Sequence, residues 1–154
     1  MILSLRPLGP DDIDALEAIE HVAYSAPWSR SMFASELAKP TARSLGAFAT
    51  DGTLLGYLIL SRYVDAWHLM NVAVHPEHRR AGVASALLRR VLEDTSEDPA
   101  RGYTLEVRVS NTGAVKLYEG FGFEIQGVRK GYYLDNREDA LIMWKTADPG
   151  QAAG

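Results

Sequence analysis

The sequence predicts an α/β protein with a mixed central sheet of about seven strands and helices on both faces. Three observations lead there. Strand-like and helix-like runs interleave along 154 residues, with no repeat, linker or shift in composition. Strand pairs stand toward both ends, 43–50 with 54–62 and 123–129 with 139–145. Between them, an apolar run ends at Val74, a turn contains Pro76, and a helix-forming segment begins among Arg79, Arg80, Ala81 and Gly82. One domain over residues 1–146 is expected, followed by a small, flexible tail at 147–154.

Each element has its own signal. Residues 2–6 suit a short strand that Pro7 and Gly9 stop. Asp11 or Asp12 can cap a helix whose Ile13, Leu16, Ile19 and Ala23 recur at helical spacing. Ala26-Pro27-Trp28-Ser29 breaks the chain, and Ser29 can cap a second helix carrying Met32, Phe33 and Leu37. Asp51-Gly52 is a hairpin turn between 43–50 and 54–62, and Trp67 to Val74 pairs with the latter through a turn near Val64-Asp65. The next helix has one apolar face of Val83, Ala84, Leu87, Leu88, Val91 and Leu92, with Arg89, Arg90, Glu93 and Asp94 outside it. After a polar loop, Tyr103 to Val109 alternates, with Leu105, Val107 and Val109 on one face and Thr104, Glu106 and Arg108 on the other. Asn111 opens a helix with Ala114, Leu117, Tyr118 and Phe121 on one side, and the loop 130–136 joins the closing strand pair.

Composition narrows the function. A 47% apolar and 23% charged chain is an ordinary globular protein. Its net charge of −4 disfavours a general nucleic-acid binder and suits a cationic amine or peptide. The chain has no cysteine, which excludes disulfides, thiolate metal sites and a cysteine nucleophile. No export segment and no stretch near the ~20 apolar residues of a membrane span is present, so a cytoplasmic protein without membrane contact is expected.

The turn after Val74 leaves the first N–H groups of a helix without intrahelical partners beside two arginines. It reads either as an anion site or as a plain strand-to-helix connection with solvated arginines. Gly-Lys-Ser/Thr and Gly-x-Gly-x-x-Gly are both lacking, and Arg79-x-x-Gly82-x-Ala84 stands instead. Glu106, flanked by Leu105 and Val107, would lie on a central strand with both faces partly covered. There it could take a proton from an ammonium group, directly or through water; the plainer alternative is a carboxylate in a solvated groove or paired with Arg108. Tyr118 lies two helical turns after Asn111, and its phenol is either a proton donor to a departing thiolate or half core, half surface. Trp28 either faces substrate or lids the core. His21, His68, His75 and His78 form no metal pair with a carboxylate at helical spacing, and the last two read as surface.

The Arg79-x-x-Gly82-x-Ala84 pattern resembles the acetyl-CoA pyrophosphate loop of the GNAT N-acetyltransferase superfamily. Leu105 to Asn111, Leu117 to Phe123, Lys130 to Tyr133, Glu138 to Ala140 and Pro27 to Ser29 extend the resemblance over about residues 3–145. Within it they resemble the protein Nα-acetyltransferases, nearest the ribosomal-protein alanine (RimI-type) branch. The resemblance implies the GNAT fold, with acetyl-CoA as co-substrate and no metal. It implies Glu106 as general base and Tyr118 as general acid. Val72, Ala73 and Val74 would pair with pantetheine, and Arg79, Arg80, Ala81, Gly82, Val83, Ala84 and Ser85 would hold the pyrophosphate. Asn111 would meet the pantetheine or diphosphate arm, and Trp28, Tyr132 and Tyr133 would border a peptide groove.

Ala84 departs from the second glycine common in bacterial members and matches archaeal and eukaryotic ones. Ala81 stands where a basic residue or glycine is frequent, and Gly113 costs its helix up to ~1 kcal/mol against alanine. The reaction expected is direct acetyl transfer to the N-terminal amine of a protein, such as an Ala-starting ribosomal protein. It would run in a ternary complex between the strand ending at Val74 and the strand of Glu106. No acyl-enzyme is expected, since neither a cysteine nor a base-paired serine is at hand. A broad-specificity peptide Nα-acetyltransferase, a small-molecule amine acetyltransferase and a non-catalytic acyl-CoA-binding module are the alternatives. The protein partner would be the acceptor N-terminus, and the chain a monomer or weak dimer.

Overall fold

Asp51 and Gly52 form the turn at the centre of the first hairpin. Gly52 takes a left-handed φ of 90°, and the Asp51 carboxylate accepts the Thr53 N–H at 3.0 Å. The hairpin joins β2 (Ala42–Phe48) to β3 (Leu54–Tyr63) in the register Leu45↔Leu58. The computed structural model describes residues 3–79, 81–98 and 102–146. Its strands also include β1 (Ser4–Pro7), β4 (Ala66–Val74), β5 (Gly102–Arg108), β6 (Glu124–Arg129) and β7 (Ala140–Thr146), and its helices are α1 (Ile13–Ala23), α2 (Arg30–Leu37), α3 (Val83–Asp94) and α4 (Thr112–Gly120). The sheet has seven strands in the order β1-β2-β3-β4-β5-β7-β6.

Contacts divide the chain into two compact units, one of residues 1–61 and 70–95, the other of 62–69 and 96–154. In the first, β3 is covered over nearly its whole length, as a central strand must be. Tyr57 and Ile59 pack with Leu16 and Ile19 of α1 and Phe33 of α2. Gly56, of opposite parity, faces Val83 of α3. Helices therefore cover both faces of this part of the sheet, as the periodicity implied. Val83, Leu87, Leu88 and Val91 are the buried stripe of α3, and the four charged residues assigned outside it are exposed.

In the second unit, β5 pairs in parallel with the start of β4 at Trp67↔Tyr103 and His68↔Thr104, and antiparallel with β7 at Glu106↔Ile142. The closing pair forms as expected, but β7 inserts between β5 and β6.

Several expectations need correction. β1 includes Pro7, which an edge strand accommodates because no ladder needs its missing N–H. Asp12 does not cap α1 through its side chain. Its carboxylate reaches back to the Gly9 N–H at 2.8 Å and to Arg6, closing a 3-10 turn ahead of the helix. α3 starts at Val83, later than the segment 79–82, because Gly82 adopts the left-handed region (φ 78°) and forms the N-cap. Val109 lies past the end of β5 and is 47% exposed, so it does not share the buried face of Leu105 and Val107. The tail at 147–154 lies outside the described residues.

Candidate functional site

In the first unit, the end of β4, the turn after it and the start of α3 form one group. Ala73 is buried, while Val72 and Val74 are half-buried. A 3-10 turn, Pro76–His78, follows and is capped by the His75 Nδ1, which accepts the Glu77 N–H at 3.2 Å. Arg79, Ala81 and Gly82 are exposed, whereas Arg80 lies outside the described residues. Because the N-cap is a glycine, no side chain satisfies the first N–H groups of α3. Val83 is buried, so it can offer a ligand only its main chain, and Ala84 and Ser85 are half-buried beside it. A twelve-residue helix with an uncapped N-terminus behind an arginine fits a pyrophosphate.

Beside it, α1 grips β4 through Glu20, a carboxylate only 2% exposed. It accepts hydrogen bonds from the Tyr57 hydroxyl, from Asn71 Nδ2 at 2.9 Å and from the Trp28 N–H at 2.9 Å. One turn on, the Tyr24 hydroxyl donates to the Val72 carbonyl. Trp28 itself packs against the core. Its ring packs on Phe33 at 5.3 Å, and it also borders a cavity of about 370 Å³ with Met32, Glu36 and Met70.

In the second unit, Glu106 is the one exposed residue of β5. The side chain is open to water, because its face of the strand opens beyond buried Thr104. Its ion pair is with Arg129 of β6, Nε to Oε2 at 3.1 Å, not with Arg108. Arg108 turns instead to Asp135 at 2.9 Å and Glu138 at 3.3 Å. Tyr132 stacks edge-on against Tyr133 at 5.1 Å, and its ring lies 5.8 Å from the same Arg129 guanidinium that pairs with Glu106. Burial first, then the Glu106 charge, holds the Tyr132 phenol above its usual range. Burial also pushes Tyr133 up to about 12 against the opposing charge of Arg108. His68 is held below its ordinary value by burial, opposed by Glu106.

Tyr118 is 7% exposed on α4, its ring 5.8 Å from that of Phe123. Asn111 is the N-cap of α4, its side chain accepting the Ala114 N–H at 3.2 Å while the residue stays exposed.

Sequence reasoning missed Glu20 and Arg129. Glu20 carried a legible signal: it sits in the stripe of Ile13, Leu16 and Ala23, where an unpartnered carboxylate would be costly. Arg129 carried none, since its meeting with Glu106 depends on β7 lying between their strands. His75, Glu77 and His78 also place their ligand atoms within 4.8 Å of one another, close enough for a metal ion, though one imidazole nitrogen is already the cap of the turn.

Residues 13–123 match the acetyltransferase (GNAT) family. The chain is 38% identical over 143 residues, 93% of its length and 95% of the relative's, to the putative [ribosomal protein bS18]-alanine N-acetyltransferase of Bacillus subtilis (strain 168). It is 32% identical over 153 residues to the N-alpha-acetyltransferase of Saccharolobus solfataricus, covering 91% of this chain and 90% of that one. The crystal structure of the ribosomal-protein-S18-alanine N-acetyltransferase from Escherichia coli superposes with a TM-score of 0.88 at 32% identity, covering 96% and 95% of the two chains.

Proposed function

Because the chain belongs to the acetyltransferase (GNAT) family, we propose that it is a protein Nα-acetyltransferase with an Ala-starting ribosomal-protein N-terminus as acceptor. The similarity over 93% of the chain to a bS18-alanine N-acetyltransferase supports the acceptor class. The observation that carries the mechanism is Glu106, the one exposed residue on a strand otherwise covered or half-covered. Acetyl-CoA supplies the acetyl group as a thioester.

The chain's own groups have these parts. The uncapped start of α3, with Arg79 beside it and Arg80 preceding, holds the pyrophosphate, and the main chain of Val72, Ala73 and Val74 aligns the pantetheine arm. Asn111, whose carbonyl oxygen is spent on its cap, has its side-chain NH2 to offer to that arm. N–H groups near Val72 to Val74 offer hydrogen bonds to the thioester oxygen as it gains charge. Glu106 takes the proton of the acceptor's ammonium group, directly or through water, and Tyr118 returns one to the leaving thiolate. Trp28, Tyr132 and Tyr133 flank the acceptor peptide. Neutral amines are competent nucleophiles, so positioning supplies much of the acceleration. A ribosomal acceptor places the reaction in the cytoplasm; among the described residues, no helix is long and apolar enough to cross a membrane.

The test is a screen of Ala-, Ser- and Met-starting peptides and polyamines with acetyl-CoA, the modified atom identified by mass spectrometry. Preference for an Ala-starting ribosomal peptide acetylated at its α-amine is the expected result. Equal use of all peptide starts would replace it by the broad-specificity reading. In the same assay Glu106→Gln should slow turnover most at acidic and neutral pH with acetyl-CoA affinity near normal. Wild-type rates across the whole pH range would remove the base assignment.

A further inference from the structure

We infer that Arg108 is a positioning residue for acetyl transfer, a single guanidinium that holds the 130–139 loop so that Tyr132 stays beside Glu106 and its partner Arg129. The inference rests on the reading of Glu106 as base and of that loop as the acceptor's flank.

The geometry is specific to a planar, forked cation. Nη2 meets the Asp135 carboxylate at 2.9 Å, and Nη1 lies 3.2 Å from Asn136 Oδ1 and 3.3 Å from Glu138 Oε1. The flat face of the same group lies 4.0 Å from the centre of the Tyr133 ring. One side chain on a rigid strand thus engages four residues of one loop. Its own exposure is only 23%, so these contacts are partly shielded from water and salt. The loop is closed on itself as well: Tyr133 N–H donates to the Glu138 carbonyl at 3.1 Å, and Arg137, at a left-handed φ of 60°, donates back to the Tyr133 carbonyl at 2.7 Å. Such a turn in a non-glycine residue is held by its surroundings, and Arg108 is the charge at its centre.

The position of Arg108 in the chain gives the clamp its consequence. Glu106 is two residues earlier on the same face of β5. Asn111, the N-cap of α4, is three residues later and donates its N–H to the Arg108 carbonyl at 2.9 Å. The Glu138 carboxylate that Arg108 holds also accepts the Ser110 N–H at 2.7 Å. Base, helix start and loop are therefore tied at one residue. The neighbouring tyrosine rings transmit the hold, since Tyr133 under the guanidinium abuts Tyr132, whose ring lies 5.8 Å from the Arg129 guanidinium that pairs with Glu106. Lysine could keep the charge but not three acceptors and a stacked ring together.

The experiment measures peptide KM, kcat, acetyl-CoA dissociation constant and melting temperature for Arg108→Ala, Arg108→Lys and Asp135→Asn. Arg108→Ala should raise peptide KM at least ~10-fold and lower kcat/KM by up to about 10²-fold, as displacement of a positioning group by about 1 Å does. Acetyl-CoA affinity should stay within about twofold, a smaller change than any expected from misplacement. Arg108→Lys should fail to restore KM, and Asp135→Asn, which removes one arm of the clamp on an exposed loop, should shift it in the same direction by less. Wild-type peptide KM in a folded Arg108 variant overturns the inference, as does full rescue by lysine or a parallel loss of acetyl-CoA affinity. If Arg108→Ala does not fold, Arg108→Lys and Asp135→Asn decide the matter by the same readings. Glu106→Gln run alongside separates the two claims: an unaffected rate there strikes the base assignment, whereas an unaffected peptide KM in the clamp variants strikes the clamp.

Discussion

Replacing Glu20 by alanine tests how much the first unit depends on one buried carboxylate. Three donors converge on it: the Tyr57 hydroxyl, Asn71 Nδ2 at 2.9 Å and the Trp28 N–H at 2.9 Å. Tyr57 is 0% exposed and Asn71 9%, so neither donor can turn to bulk water once the acceptor is gone. Hydrogen bonds to a charged group are each worth roughly 1.5–3 kcal/mol net, and the missing side chain leaves a cavity as well. A water entering that polar cavity would satisfy part of the loss, which leaves about 3–5 kcal/mol of destabilisation. For a chain of this length each kcal/mol moves the melting temperature by about 2–4 °C, so a fall of roughly 6–20 °C is expected by circular dichroism or calorimetry. Tyr57→Phe removes one donor and keeps the acceptor for the other two, and should cost only about 1.5–3 kcal/mol. A Glu20→Ala protein melting within about 2 °C of the wild type, less than the smallest shift a 1 kcal/mol loss produces, would refute the reasoning. So would a larger loss from Tyr57→Phe than from Glu20→Ala.

Gly56→Ala would set a Cβ 2.9 Å from the Ala73 carbonyl oxygen and 3.0 Å from Val83 Cγ1. Overpacking of this kind costs about 1–3 kcal/mol, and because it presses on β4 it should also weaken acetyl-CoA binding, measured by calorimetry; unchanged stability and affinity would contradict it. Gly113→Ala should instead stabilise the protein by up to ~1 kcal/mol in a urea unfolding curve, since the site is in the first turn of α4 with nothing within 4 Å of the added methyl. The Arg6 guanidinium holds the Asp12 carboxyl below the usual range, and the Ser110 hydrogen bond does the same for Glu138. Both groups therefore bind protons more readily in the unfolded chain. Their contribution is full above the unfolded values near pH ~4 and is lost as pH falls through the lower folded values. Acid unfolding should begin below about pH 4, and Asp12→Asn should remove part of that dependence; an identical acid limb in the variant would count against the Arg6 pairing.

Where elements would form was legible from local chemistry. The Asp51-Gly52 turn, the Ser29 cap at 3.3 Å from Met32 N, the stripe of α3 and the alternation of β5 each need only a few neighbouring residues to be specified. The strand-turn-helix order and the resemblance of Arg79-x-x-Gly82-x-Ala84 and its companion motifs to the GNAT superfamily were likewise present in the sequence, and with them the family. The exposure and company of Glu106 were not. Alternation places its side chain on one face of β5, but says nothing about which strand comes next. The insertion of β7 between β5 and β6 brings Arg129 to Glu106 across 23 positions and leaves Arg108 to the 130–139 loop. Glu20 shows the same limit: the helical period put it on the covered stripe, but only the packing of α1 on β3, β4 and the loop before α2 supplied its three donors. Local periodicity and turn chemistry act over one turn or one hairpin, so they determined the elements and their order. Long-range pairing acts between residues far apart in the chain, so tertiary structure alone decided which charges meet, which carboxylate is buried and which stays open to water.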